Sequence, residues 1–100
     1  MFNKIKENLK KRNLCFDEGA ADFTDFHGTV LNSDKEPFEV EGSIECDVEN
    51  KTISYSIVFY DVNRDIEYDG IIGTFHNVDK SDNIEVLMNR IFAADFVELA

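Results

Sequence analysis

Twelve residues, Phe38 to Glu49, alternate almost without a break. Phe38, Val40, Gly42, Ile44, Cys46 and Val48 fall on one parity, and Glu39, Glu41, Ser43, Glu45, Asp47 and Glu49 on the other. Successive side chains of a strand point to opposite faces, so this stretch predicts a strand with one apolar side and one acidic side. A helix would scatter both sets around its circumference. The chain must therefore build a sheet with one face in a core and the other in water, which is how antiparallel sheets commonly sit.

The next apolar run, Thr52–Val62, follows after Asn50-Lys51. A two-residue hairpin loop there would put Glu49 opposite Thr52. Val48 would then face Ile53, Cys46 face Tyr55, Ile44 face Ile57 and Gly42 face Phe59, so every inward pair is apolar or fills a glycine gap. Thr52, Ser54, Ser56, Val58 and Tyr60 point outward in that register. A second tight turn at Asn63-Arg64 pairs Val62 with Asp65. It sends Tyr68, Gly70 and Ile72 inward, and Asp65, Glu67, Asp69, Ile71 and Phe75 outward. The adjacent Ile71 and Ile72 leave this last alternation open to either phase.

Before the acidic strand, Phe23–Asn32 reads as another strand, with Phe26, Gly28 and Val30 on one side and Asp25 and His27 on the other. Ser33–Glu36 is a turn, and Pro37 opens the next strand, where its missing N–H does little harm. Leu14, Cys15 and Phe16 can start a further strand, and Asp17-Glu18-Gly19 has turn chemistry. Residues 2–12 form an amphipathic helix, with Phe2, Ile5 and Leu9 on one face. Lys10, Lys11 and Arg12 suit the negative end of its dipole, and Asn13 caps it. Residues 82–98 predict the second helix. Asp82 and Glu85 form a capping box, and Ile84, Leu87, Met88, Ile91 and Phe92 form the buried stripe. The expected fold is α+β, in the order α-β-β-β-β-α: a four-stranded antiparallel meander with the N-terminal and C-terminal helices packed on one face. The 100 residues are expected to make a single small acidic domain, 1–100.

Charge sets the functional expectations. Net charge is −11, with 10 basic and 21 acidic residues. It is unevenly placed: five cations and one anion lie in residues 1–12, five cations and twenty anions in the remainder. Such a body repels phosphate, so direct binding of nucleic acid or of an anionic membrane is not expected, while a basic protein surface suits it. No segment is long and apolar enough to span a bilayer. The charged N-terminus lacks the apolar run of a secretion signal, so a reducing, cytoplasmic setting is expected. Cys15 and Cys46 are too few for a disulfide framework, and Cys46 is expected as a buried thiol.

Catalytic and metal readings fail on detail. Asp61–Ile72 starts like a calcium loop, but Ile66 stands where the sharp turn needs glycine and Ile72 where a bidentate glutamate belongs. His27, facing Glu41, and His76 have no activated nucleophile beside them and no zinc spacing. Gly70-Ile-Ile-Gly73 lacks the lysine and the helix of a phosphate loop. No enzyme activity, catalytic residue, metal or cofactor is therefore expected. The basic N-terminal helix reads as a solvated face that offsets the acidic body.

What remains is the outer face. Carboxylates ~6.7 Å apart along a strand, in two rows ~9.5 Å apart, repel one another by roughly 0.5–1 kcal/mol per pair before screening. A solubilising coat, or protection against edge pairing, explains such a face in structural terms. The functional alternative is phosphate mimicry. Glu39, Glu41, Glu45, Asp47, Glu49, Asp65, Glu67 and Asp69, with Tyr60 and Phe75 as anchors, would then engage the basic surface of a nucleic-acid-binding protein. Phage or mobile-element counter-defence, of the anti-restriction or anti-CRISPR kind, is the expected context. An immunity protein or antitoxin against a basic nuclease shares the physics, and a small acidic secretion-type chaperone is a third class. Either a monomer or a homodimer is consistent with the sequence.

Overall fold

A computed structural model describes residues 2–32, 34–79 and 84–94. Helix α1 (Phe2–Lys11) is followed by five strands, β1 (Cys15–Phe16), β2 (Phe23–Leu31), β3 (Pro37–Asp47), β4 (Thr52–Asp61) and β5 (Ile66–Phe75). Helix α2 (Ile84–Asn89) then runs on as a π-helical turn, Arg90–Ala94. The strands form one antiparallel sheet in sequence order, β1-β2-β3-β4-β5. The fold is thus α+β, as the alternation requires, with five strands where four were expected. The additional one is the two-residue β1, which pairs Cys15 with His27 and Phe16 with Phe26.

Helix α1 ends as its sequence dictates. Asn13 takes a positive φ of 60°, the Leu14 N–H donates to the Leu9 carbonyl and the Asn13 N–H to the Lys10 carbonyl. This six-to-one, five-to-two pair is the Schellman closure, and it turns Leu14 into the core beside Leu9. Phe2, Ile5 and Leu9 bury the inner side of α1, and Ile84, Met88, Ile91 and Phe92 that of the C-terminal helical segment. Both sets join Phe26, Phe38, Ile44, Ile57 and Phe59 in one cluster, with the Phe92 ring edge-on to Phe26 at 5.5 Å. Both helices therefore cover the same side of the sheet. The expected cap at Asp82, and the expected helix beyond residue 94, lie outside the described residues.

Both hairpin loops are longer than the two residues expected, and the first also changes the register. β3 and β4 pair Asp47 with Thr52, Cys46 with Ile53, Ile44 with Tyr55 and Gly42 with Ile57. Residues 48–51 form a four-residue loop, so the register sits two residues from the expected one. The faces survive, because a shift of two preserves parity. Val48, expected inward, is 56% exposed in this loop, and Glu49 leaves the outer face with it. β4 and β5 also join through a four-residue loop, residues 62–65, but here the register is the expected one as far as the bulge, with Asp61 opposite Ile66 and Phe59 opposite Tyr68. In each loop an aspartate begins the turn and caps it: Asn50 N–H donates to Asp47 Oδ1, and Arg64 N–H to Asp61 Oδ1. Each ends on a residue in the left-handed region, Lys51 at φ 55° and Asp65 at φ 56°.

Asp61 also anchors the core's rim. It is fully buried, and Arg64 Nη1 donates to its Oδ2 at 2.6 Å while Arg64 Nη2 lies 3.5 Å from Glu36. Burial works to raise the Asp61 carboxyl, but the hydrogen bonds and charge of Arg64 outweigh it and hold its pKa below the usual carboxylate value. A lowered folded-state pKa contributes stability above the unfolded value of about 4, and that contribution is lost as pH falls through the folded value. Asp61→Asn should therefore lower the urea midpoint at pH 7, and the gap to the parent protein should close as pH falls from about 4 toward 2. A gap independent of pH would mean that the carboxylate charge contributes nothing there.

Candidate partner-binding face

The outer face of the sheet is built by parity and register. On β3, Glu39, Glu41, Ser43, Glu45 and Asp47 alternate with the buried Phe38, Val40, Ile44 and Cys46. Across β2, β3, β4 and β5 the outer positions line up in rows. Thr29, Glu39, Tyr60 and Glu67 form one; Phe23, Glu45, Ser54 and Thr74 form another. Between them His27 sits opposite Glu41, which sits opposite Val58, and Asp25 sits opposite Ser43, which sits opposite Ser56. The predicted pairing of His27 with Glu41 thus exists as a cross-strand pair, with exposed Cys15 on the far side of His27. Glu39, Glu41, Glu45 and Glu67 are all exposed and share this one side.

β5 departs from the expected alternation. Ile57 pairs with Ile71 and Phe59 with Tyr68, so Asp69 and Gly70 together oppose Val58 in a β-bulge. The extra residue reverses the phase beyond it. Ile71 and Phe75, expected outward, turn inward and pack against the core, with the Phe75 ring 5.4 Å from Tyr55. Phe75 is therefore not an anchor on the acidic face. Ile72, expected inward, is 82% exposed beside Ser56 on the outer face. This apolar outer residue was missed by the sequence reading, although its neighbours Gly70 and Ile71 carried the signal of a phase slip. Asp69 lies at the bulge itself.

Asp65 leaves the strand for the loop, where it accepts a hydrogen bond from the Tyr60 hydroxyl. That bond, then burial and the nearby charge of Asp65 and Glu39, raise the Tyr60 pKa, and the bond ties the side chain to the β4–β5 loop. Asp47 accepts from the side chain and backbone of Asn50, which lowers its pKa. Asp61 and Asp65, which open the calcium-like run, thus aim at different partners, Arg64 and Tyr60. Among the described residues, no three His, Cys, Asp or Glu side chains converge as a metal site. Cys46 is buried and its thiol is pushed up by that burial; it and Cys15 are both free.

Cations are segregated from this face. Among the described residues no Lys or Arg lies on a strand. Lys4, Lys10 and Lys11 pair with Glu7, Glu18 and Glu85 on the helix side, Lys51 pairs with Asp79, and Arg64 with Asp61 and Glu36. Glu39, Glu41, Glu45 and Glu67 enter no ion pair among the described residues. Toward the Tyr60 end of the face the sheet dips into an open concavity of about 510 Å³, lined by His27, Glu39, Glu41, Val58, Tyr60 and Glu67 among others. The geometry can do one thing well: it offers several uncompensated carboxylates around a fixed aromatic ring. Among the described residues, no helix is long and apolar enough to cross a membrane. Comparison with protein-family models, with curated proteins and with solved structures gives no match for this chain.

Proposed function

We propose that the chain is a small acidic binding protein that inhibits a nucleic-acid-acting partner by offering its carboxylate face to the partner's basic surface. One observation carries this reading. Glu39, Glu41, Glu45 and Glu67 point to one open side of the sheet, and the described cations lie in the helices and turns. Uncompensated like charges oppose folding, and a basic partner relieves that repulsion on binding. The same separation of charge gives the molecule a dipole that turns the sheet toward a cationic surface during encounter.

Phage or mobile-element counter-defence is the proposed setting, and the partner is a restriction or CRISPR-type nuclease or another enzyme that grips phosphates. The protein acts without catalysis, cofactor or metal, in the cytoplasm. The decisive experiment captures a partner on the immobilised protein and purifies it, then challenges the complex with duplex DNA and with salt. DNA and the protein should compete for the partner, and affinity should fall steeply between about 50 and 200 mM salt. A partner that binds DNA and this protein simultaneously, or a salt-independent complex, overturns the reading.

A further inference from the structure

The outward side chains of β4 are half-buried between the exposed Glu39, Glu41 and Glu45 of β3 and the exposed Glu67, Ile72 and Thr74 of β5, which gives the acidic face the relief of a shallow trough. Along β4 the outward residues Thr52, Ser54 and Ser56 are small, and Ser54 is tied to Thr74 by a 3.2 Å hydroxyl contact. The β3 carboxylates Glu39, Glu41 and Glu45 stand along one side of this floor. Glu67 and the exposed Ile72 stand on the other. The two walls are two strand spacings apart, ~9.6 Å, close to the ~10–12 Å width of a helix with its side chains. The floor from Ser54 to Tyr60 runs ~20 Å, the length of about thirteen helical residues.

We infer that this trough receives one basic amphipathic α-helix of the partner, laid along β4. The inference rests on the acidic-face reading and names the partner's docking element. Charge complementarity selects the occupant on the β3 side, where three exposed carboxylates have no internal cation. The other wall selects the helix's second face: Ile72 at 82% exposure, with half-buried Val58 on the floor, calls for an apolar stripe. At the Tyr60 end, an arginine of the helix enters the concavity. Its guanidinium stacks on the Tyr60 ring and reaches Glu39 and Glu67 on either side, which lie in the same cross-strand row. A basic helix that normally lies in the major groove of DNA has this form, about 12 Å of groove width admitting one helix. The sheet thus stands in for the groove.

Two peptides of about 18 residues and identical Arg, Leu, Ala and Gln composition test this. One segregates arginine and leucine onto adjoining helical faces; the other permutes them so that no face forms. The segregated peptide should bind at least about tenfold more tightly. Its binding should move the NMR signals of the Val58 and Ile72 methyls and of the Tyr60 ring. Ile72→Asp should reduce it to the level of the permuted peptide, and Ile72→Val should not. Equal affinity for both peptides with steep salt dependence overturns the helix and leaves the acidic face as a cation-binding surface. Perturbations confined to the β5 amides also overturn it, since they mean that an added strand is the binding mode. Failure of both peptides to bind at low salt removes the acidic-face reading itself.

Discussion

Gly42→Ala is expected to cost about 3 kcal/mol or more and to leave the domain barely folded, read as a collapse of the urea midpoint. Gly42 sits in the middle of β3 on the core side, opposite Phe26 on β2 and Ile57 on β4. A Cβ there would lie 2.1 Å from the Ser56 carbonyl oxygen, 3.0 Å from Ile57 Cα and 3.1 Å from Phe26 Cζ. Two of these three neighbours are backbone of the adjacent strand, so a rotamer change cannot relieve the clash. The central β3–β4 pairing would have to open, and the fully buried Phe59 and Ile57 are held by that pairing. Gly19→Ala is the control: its Cβ meets only Asp17 Oδ1, at 3.4 Å, and should change the midpoint little. Equal midpoints for the two variants would mean that the strands can part cheaply at this point.

The second large effect is functional and has the opposite sign in stability. Reversing Glu39, Glu41 and Glu45 to lysine together adds two charge units at each site and takes the net charge from −11 to −5. All three are exposed on the outer face and take part in no ion pair among the described residues, so no internal partner is lost. Mixed signs replace a ladder of one sign, and Tm should rise by a few degrees at low salt, the gain shrinking as salt is added. Affinity for the basic partner should fall at least about a hundredfold, because each lysine both removes an attraction and adds a repulsion. A raised Tm with unchanged inhibition would assign the carboxylates to solubility alone. A lowered Tm would mean that the face is not under charge strain in the free protein.

Both effects depend on which way side chains face, and this was legible to different depths along the chain. On β3 the alternation of Phe38, Val40, Ile44 and Cys46 with Glu39, Glu41 and Glu45 determined both faces without any tertiary knowledge. Even the two-residue error in its pairing with β4 left them unchanged, since parity repeats every second residue. The loop error was avoidable. Asp47-Val48-Glu49-Asn50-Lys51 and Asp61-Val62-Asn63-Arg64-Asp65 share an aspartate that caps the backbone three residues on, a signal of turn chemistry that outranks the Asn-Lys dipeptide. β1 was half seen: Cys15 and Phe16 have strand character, but two residues become a strand only when β2 offers them partners.

β5 marks the limit. Ile71 and Ile72 are adjacent and equally apolar, so local pattern cannot say which one faces the core. The bulge at Asp69 and Gly70 decides it by letting Tyr68, Ile71 and Phe75 all reach the core. The sequence by itself determined a sheet with an acidic face and an apolar face, because strand periodicity is a property of the backbone and needs no partner. Only the tertiary structure decided that Phe75 belongs to the core and Ile72 to the trough. The phase of β5 beyond its bulge depends on how those side chains pack, and packing is set by contacts among β4, β5 and the core beneath them.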